Sequence, residues 1–189
     1  MNRFSMGICT LAAAIVAAPL LATAGNDLEE AAVALYAIDR SGVTVEKALT
    51  QVEATVGGIA YEYELEDEDG QLYHEIKVMD LEAGTRHKLR IAVADGAISE
   101  EKEKRSCGLV CRDDEVLAAR ALKDSGYSLR KGIADSKRGE QQLLEEAEVE
   151  LERGVRYIKL EWVGPQGERD HLIDIDSSQA IPTLTSPDR

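Results

Sequence analysis

Apolar positions along the chain follow two periods, first helical and then strand-like. From Leu28 to Arg40, Leu28, Ala31 or Ala32, Leu35 and Ile38 recur at helical spacing, and Ser41-Gly42 ends the run. A shorter helix is expected after Thr44, a suitable N-cap, with Val45, Leu49, Val52 and Val56 along one face. The period then becomes two. Ile59, Tyr61, Tyr63 and Leu65 alternate with Glu62, Glu64, Glu66 and Glu68 up to Asp69-Gly70, a hairpin turn signal. On the return, Leu72, His74, Ile76 and Val78 face one way and Tyr73, Glu75 and Lys77 the other. After Ala83-Gly84 the series His87, Leu89, Ile91, Val93 predicts a third strand that closes on Asp95-Gly96.

The same pattern recurs 84 residues later. Sliding residues 28–93 onto 112–177 without a gap gives thirteen identities, among them Ser41-Gly42 on Ser125-Gly126, Gly70 on Gly154, Tyr73 on Tyr157 and His87 on His171. Glu62, Glu64, Glu66 and Glu68 fall on Glu146, Glu148, Glu150 and Glu152. Read alone, 140–152 would pass for an amphipathic helix; the overlay makes it a strand. The second copy adds Leu143 to Leu151, Ile158 to Trp162 and His171 to Ile175 as strands. Its helix after Ser128 is weakened by Gly132 and Gly139. The expected fold is α+β: two tandem repeats, each with helical segments packed on the apolar face of an antiparallel three-stranded meander. One copy of about 70 residues is marginal alone, so the two should pack together.

Residues 1–24 have the layout of a secretory signal: Arg3, an apolar stretch from Met6 to Leu21, then Ala22-Thr23-Ala24. The expected location is therefore periplasmic or secreted, with no membrane span after cleavage. Loss of Arg3 moves the formal charge from −14 to −15. Such a charge disfavours nucleic acid and anionic lipid and favours cationic partners. In an oxidising compartment Cys107 and Cys111, within the polar linker 99–113, are expected to form a local disulfide. The organisation read from the chain is thus signal 1–24, repeat 25–98, linker 99–113, repeat 114–182 and a proline-containing disordered tail 183–189.

A helix, a strand ending Glu-Asp-Glu-Asp-Gly, a strand opening Tyr-x-Glu-x-Lys and a strand closing on Asp-Gly-Ala-Ile together resemble the PepSY domain. The likeness covers roughly 28–98 and, more faintly, 115–181. Asp176 matches the aspartate that the family places at the end of its third strand, where the first copy has Ala92. The resemblance implies a non-enzymatic exported module that binds or inhibits peptidases or takes part in envelope signalling, with no catalytic residues.

Chemistry-bearing motifs are sparse. Nucleophile elbow, zinc-protease, phosphate-loop and Cys-x-x-Cys patterns are absent. Acidic residues are abundant but not isolated in an apolar setting that would raise a pKa for acid-base work, so an enzyme is not expected, nor is a metal or cofactor. His74, His87 and His171 fall on apolar strand faces, read as partly buried histidines rather than ligands. The glutamate ladders, with side chains about 6.6 Å apart along a strand, read either as solvated, edge-protecting faces or as docking surfaces for a basic partner. The candidate binding residues are Glu62, Glu64, Glu66, Glu68 and Tyr73, with Glu146, Glu148, Glu150, Glu152 and Tyr157. The partner expected is a protein, a peptidase or envelope sensor; the alternative is a small-ligand or calcium sensor, although a straight ladder does not converge six to eight oxygens.

Overall fold

The computed structural model describes residues 24–104, 113–136 and 141–183, with side chains from 28 onward. Most of the signal, Cys107 and Cys111, and all of the tail beyond residue 183 lie outside the described residues. The first half runs α1 (Ala24–Ser41), α2 (Val45–Thr55), β1 (Ile59–Glu68), β2 (Gln71–Asp80), β3 (Thr85–Ala92) and β4 (Ile98–Lys104). The second half repeats that order: α3 (Asp114–Ser125), α4 (Leu129–Ser136), β5 (Leu143–Glu152), β6 (Val155–Gly164), β7 (Gly167–Asp174) and β8 (Gln179–Ile181).

Local chemistry accounts for the boundaries. Gly126, at φ +68, ends α3, and Gly42, at φ +69, follows α1. The Thr44 hydroxyl accepts from the Lys47 amide at 3.4 Å and caps α2; Ser128 does the same for Lys131 at 3.2 Å. Asp69-Gly70 and Arg153-Gly154 all have positive φ, as tight two-residue hairpins between right-twisted strands require. The segment 143–152 is a strand, as the overlay indicates and the isolated pattern does not.

All eight strands join one antiparallel sheet in the order β4-β3-β2-β1-β5-β6-β7-β8. The two hairpin series therefore meet at the centre, through β1 and β5, where Tyr63 faces Ala147. Helices cross that boundary: α1 packs on β5 and β6, and α3 on β1 and β2. One apolar cluster runs through both halves, from Leu49, Ile76 and Leu89 to Leu122, Ile133, Ile158 and Leu160. Each half thus buries apolar surface that the other leaves open, the main stabilising term in such a fold.

Three expectations need correction. The meander has a fourth strand in each half. Residues 99–104, read as linker, belong to β4, which pairs along β3 although every one of its residues is exposed. The ungapped overlay also slips after β6. The β2–β3 turn holds four residues and the β6–β7 turn two. His87 pairs with Val78 but His171 with Leu160, so His171 takes the place of Leu89 rather than of His87. For the same reason the residue in register with Ala92 is Asp174, not Asp176. Finally, His74 is wholly buried rather than partly so.

Candidate functional site

Because β1 and β5 are neighbours, the two glutamate ladders lie side by side in the middle of the sheet. Glu62 stands opposite Glu148 and Glu64 opposite Glu146, a quartet of carboxylates on the face away from the main core. Outward along the first row the neighbours are Lys77 on β2 and Lys159 on β6; along the second they are Glu75 and Glu161. One row is therefore Lys-Glu-Glu-Lys and the next Glu-Glu-Glu-Glu, which continues to Asp170 on β7. Adjacent members of a row sit about 4.8 Å apart, the spacing of paired strands.

The ends of the two ladders differ. Glu66 and Glu68 are not open to a partner: Arg90 donates to Glu66 at 2.8 Å and to Glu68 at 2.7 Å. Its guanidinium also lies over the Tyr73 ring, 4.4 Å from the centroid. The Tyr73 hydroxyl donates to Gln71 at 2.6 Å. Glu75, only 2% exposed, accepts from Lys88 at 2.8 Å and lies 3.7 Å from the Arg90 Nε. In the second half the position of Arg90 is Leu172, opposite Lys159. There the Tyr157 hydroxyl donates to Glu150, and Glu152 pairs with Arg153 at 3.2 Å on the exposed turn. Asp176 is bound by Arg156.

Several carboxyls are held above their ordinary range, each among other carboxylates rather than isolated in an apolar setting. Burial, then repulsion from Glu146 and Glu150, pushes Glu148 up to about 7. Burial and Glu161 raise Glu146; burial and Glu75 raise Glu66 despite Arg90. Crowding of like charge on a partly dry surface is the common cause.

Beside the quartet, a cleft of about 900 Å³ lies between α1 and the sheet. Glu64, Glu146 and Glu161 come from the sheet, Glu29 and Glu30 from the helix. Ala31, Ala34, Leu65, Leu72 and Leu143 supply aliphatic wall, and among the described residues none lining it is basic. At its β7 side Glu161, Glu168 and Asp170 bring carboxylate oxygens within 4.8 Å of one another. Glu62, Glu64, Glu146 and Glu148 are thus brought together, with Glu66 close to Glu64 and Glu150 beside Glu148; Glu68, Tyr73, Glu152 and Tyr157 are engaged elsewhere.

Sequence reasoning missed Arg90, Glu161 and the α1 contribution. Alternation along β6 could have flagged Glu161, which stands opposite Glu146 on the polar face of its own hairpin. The three histidines stay apart: His74 bridges the Tyr63 hydroxyl at 3.0 Å and the Val43 carbonyl at 2.8 Å, His87 meets Glu100 at 2.7 Å, and His171 the Ser136 carbonyl at 3.2 Å.

No family model matches the chain, and no curated protein matches it. Among solved structures, a "putative lipoprotein" from Clostridium difficile 630 overlaps with a TM-score of 0.40 at 10% identity, covering 72% of this chain and 88% of that one. At that level the overlap carries no argument about function. No described helix is long and apolar enough to cross a membrane.

Proposed function

We propose that this chain is an exported, non-enzymatic binding module, built of two copies of a PepSY-like unit, that takes a cationic segment of an envelope protein, such as a peptidase or sensor. The observation that carries the reading is the cleft, in which acidic and aliphatic groups alternate and no base is present among the described lining residues. A lysine or arginine side chain has the matching form, a methylene stem ending in a positive head. Burial of the stem against Leu65, Leu72 and Leu143, with the head on Glu64, Glu146 or Glu161, would satisfy both halves of the surface.

The test is crosslinked capture of partners from an envelope extract with the wild-type chain and with a Glu64→Lys/Glu146→Lys variant. A partner retained by the first, lost by the second and released by salt supports the reading. One bound equally by both removes the cleft from it. A cation-sensor reading draws on the Glu161, Glu168 and Asp170 cluster. It expects calorimetric heat and a higher melting temperature with millimolar calcium; absence of both would exclude it.

A further inference from the structure

The β1–β5 seam is short and highly charged. It consists of three residue pairs, Glu62–Glu148, Tyr63–Ala147 and Glu64–Glu146, while the flanking β1–β2 and β5–β6 ladders run along nearly the whole of their ten-residue strands. On the polar face both cross-seam pairs set carboxylate against carboxylate, and like charges directly opposite each other weaken a ladder. We propose that this seam is a proton-operated latch: protonated at Glu146 and Glu148 it is held closed, and ionised there it opens locally while the rest of the sheet stays formed.

The surroundings favour a retained proton. Glu146 and Glu148 are faced by Glu62 and Glu64 from β1, by Glu150 on their own strand, and by Tyr157, Lys159 and Glu161 from β6. Glu29 and Glu30 of α1 stand across the cleft. Lys159 is bonded to Glu161 and Lys77 of β2 to Glu62; Lys159 also draws Glu146 and Glu148 downward, but burial and the neighbouring carboxylates outweigh it. The helices α3 and α4 also pack on β5; of their charged groups, Glu115 pairs with Arg86, Arg130 with Glu53 and Lys131 with Asp135, and Asp114, Arg120, Lys123 and Asp124 complete the set. Consistent with this, Glu148 is held up to about 7 and Glu146 is also raised. A carboxyl raised on folding stabilises the fold fully below its unfolded pKa and loses that contribution as pH rises through the folded value. The window here runs from the ordinary carboxylate range to about 7. The reciprocal helix packing and the shared core hold the halves together when the seam loosens, so opening stays local.

The test is residue-resolved amide hydrogen exchange on the whole chain at about pH 5.5 and about pH 8, corrected for the intrinsic pH dependence. Protection of the amides that cross the seam should fall roughly tenfold at the higher pH, a shift discounted for partial exposure, while β6–β7 amides keep theirs. In Glu146→Gln/Glu148→Gln the seam should stay protected at both pH values; Glu152→Gln, at the exposed tip of the same strand, should behave as wild type. Equal seam protection at both pH values in wild type would overturn the latch. So would pH dependence that persists in the double variant. Carbon-13 titration of the two wild-type carboxyls needs no substitution: a midpoint near 7 for Glu148 supports the proposal, and an ordinary carboxylate midpoint there overturns it.

Discussion

The two halves share one skeleton and fill it differently. On the polar face of the first, Arg90 gathers Glu66 and Glu68, covers Tyr73 and lies beside buried Glu75. The second half has Leu172 in that position and, in place of Lys88, Asp170. Beneath the sheet the contrast reverses. The first half buries a polar pair, with the Tyr63 hydroxyl donating to His74 Nδ1 while His74 Nε2 donates to the Val43 carbonyl. The corresponding residues of the second half are Ala147 and Ile158, both fully buried and apolar. One half thus gathers its acid on an arginine and carries polarity inside; the other lacks that arginine and keeps half-buried acid over an apolar interior. A shared frame fixes where strands lie, and a few side chains decide which half has an arginine among its carboxylates.

The largest effect should come from making the first half resemble the second at its arginine. Arg90→Leu strips the guanidinium from Glu66 and Glu68 and leaves Glu75, 2% exposed, with Lys88 alone. We expect a loss of about 2–4 kcal/mol in urea unfolding, since removal of one partner strands a buried charge. A loss within about 0.5 kcal/mol, the range of an ordinary surface change, would show the cluster to be incidental.

Next in size is Tyr63→Phe, which removes the donor to His74 Nδ1. An unsatisfied buried nitrogen costs about 1–3 kcal/mol. His74 is already held below the usual histidine range by burial, so both forms should remain neutral at that ring near pH 7. The destabilisation should therefore appear at neutral pH as well as in acid, read by thermal melts at several pH values.

The converse change, Leu172→Arg, imports the first half's device into the second. It should weaken binding of a lysine-rich peptide severalfold at low salt while altering stability by less than about 1 kcal/mol, the usual scale for an exposed ion pair. The smallest effect is expected at Gly132. An added Cβ would meet Ile158 Cδ1 at 2.7 Å, so the glycine makes room for the isoleucine that replaces His74. Gly132→Ala gains up to about 1 kcal/mol of helix propensity and loses much of it in turning that side chain; denaturation should find it close to neutral.

How much of this was legible follows from the same residues. The boundaries of β1, β2, β5 and β6 sit at the 84-residue offset because alternation at Tyr61, Tyr63, Ala147 and Val149 marks a half-buried strand wherever it occurs. Strand β4 was not legible: Ile98–Lys104 is exposed on both faces and its sequence carries no alternation to read. The slip at His171 arose because a turn shorter by two residues preserves strand polarity and so leaves the pattern intact. Nothing in either ladder announces that β1 pairs with β5, because periodicity fixes which face is buried and says nothing about which edge meets which. The quartet and the α1 cleft both depend on that single pairing. Arg90 was out of reach for a related reason, lying 22 and 24 residues from the glutamates it holds.

Whether the cleft carboxylates Glu146 and Glu161, with Glu64 across the seam, form a receptor for cationic groups is tested most directly by calorimetry. A short lysine-rich peptide is titrated into the whole chain at low and high salt. The comparison set is wild type, Glu146→Lys/Glu161→Lys in the cleft, and Glu101→Lys on exposed β4. Salt-sensitive binding that survives the β4 change and falls at least tenfold with the cleft variant is the predicted result. Binding of equal strength to all three proteins, or weakened equally by either charge change, would contradict it.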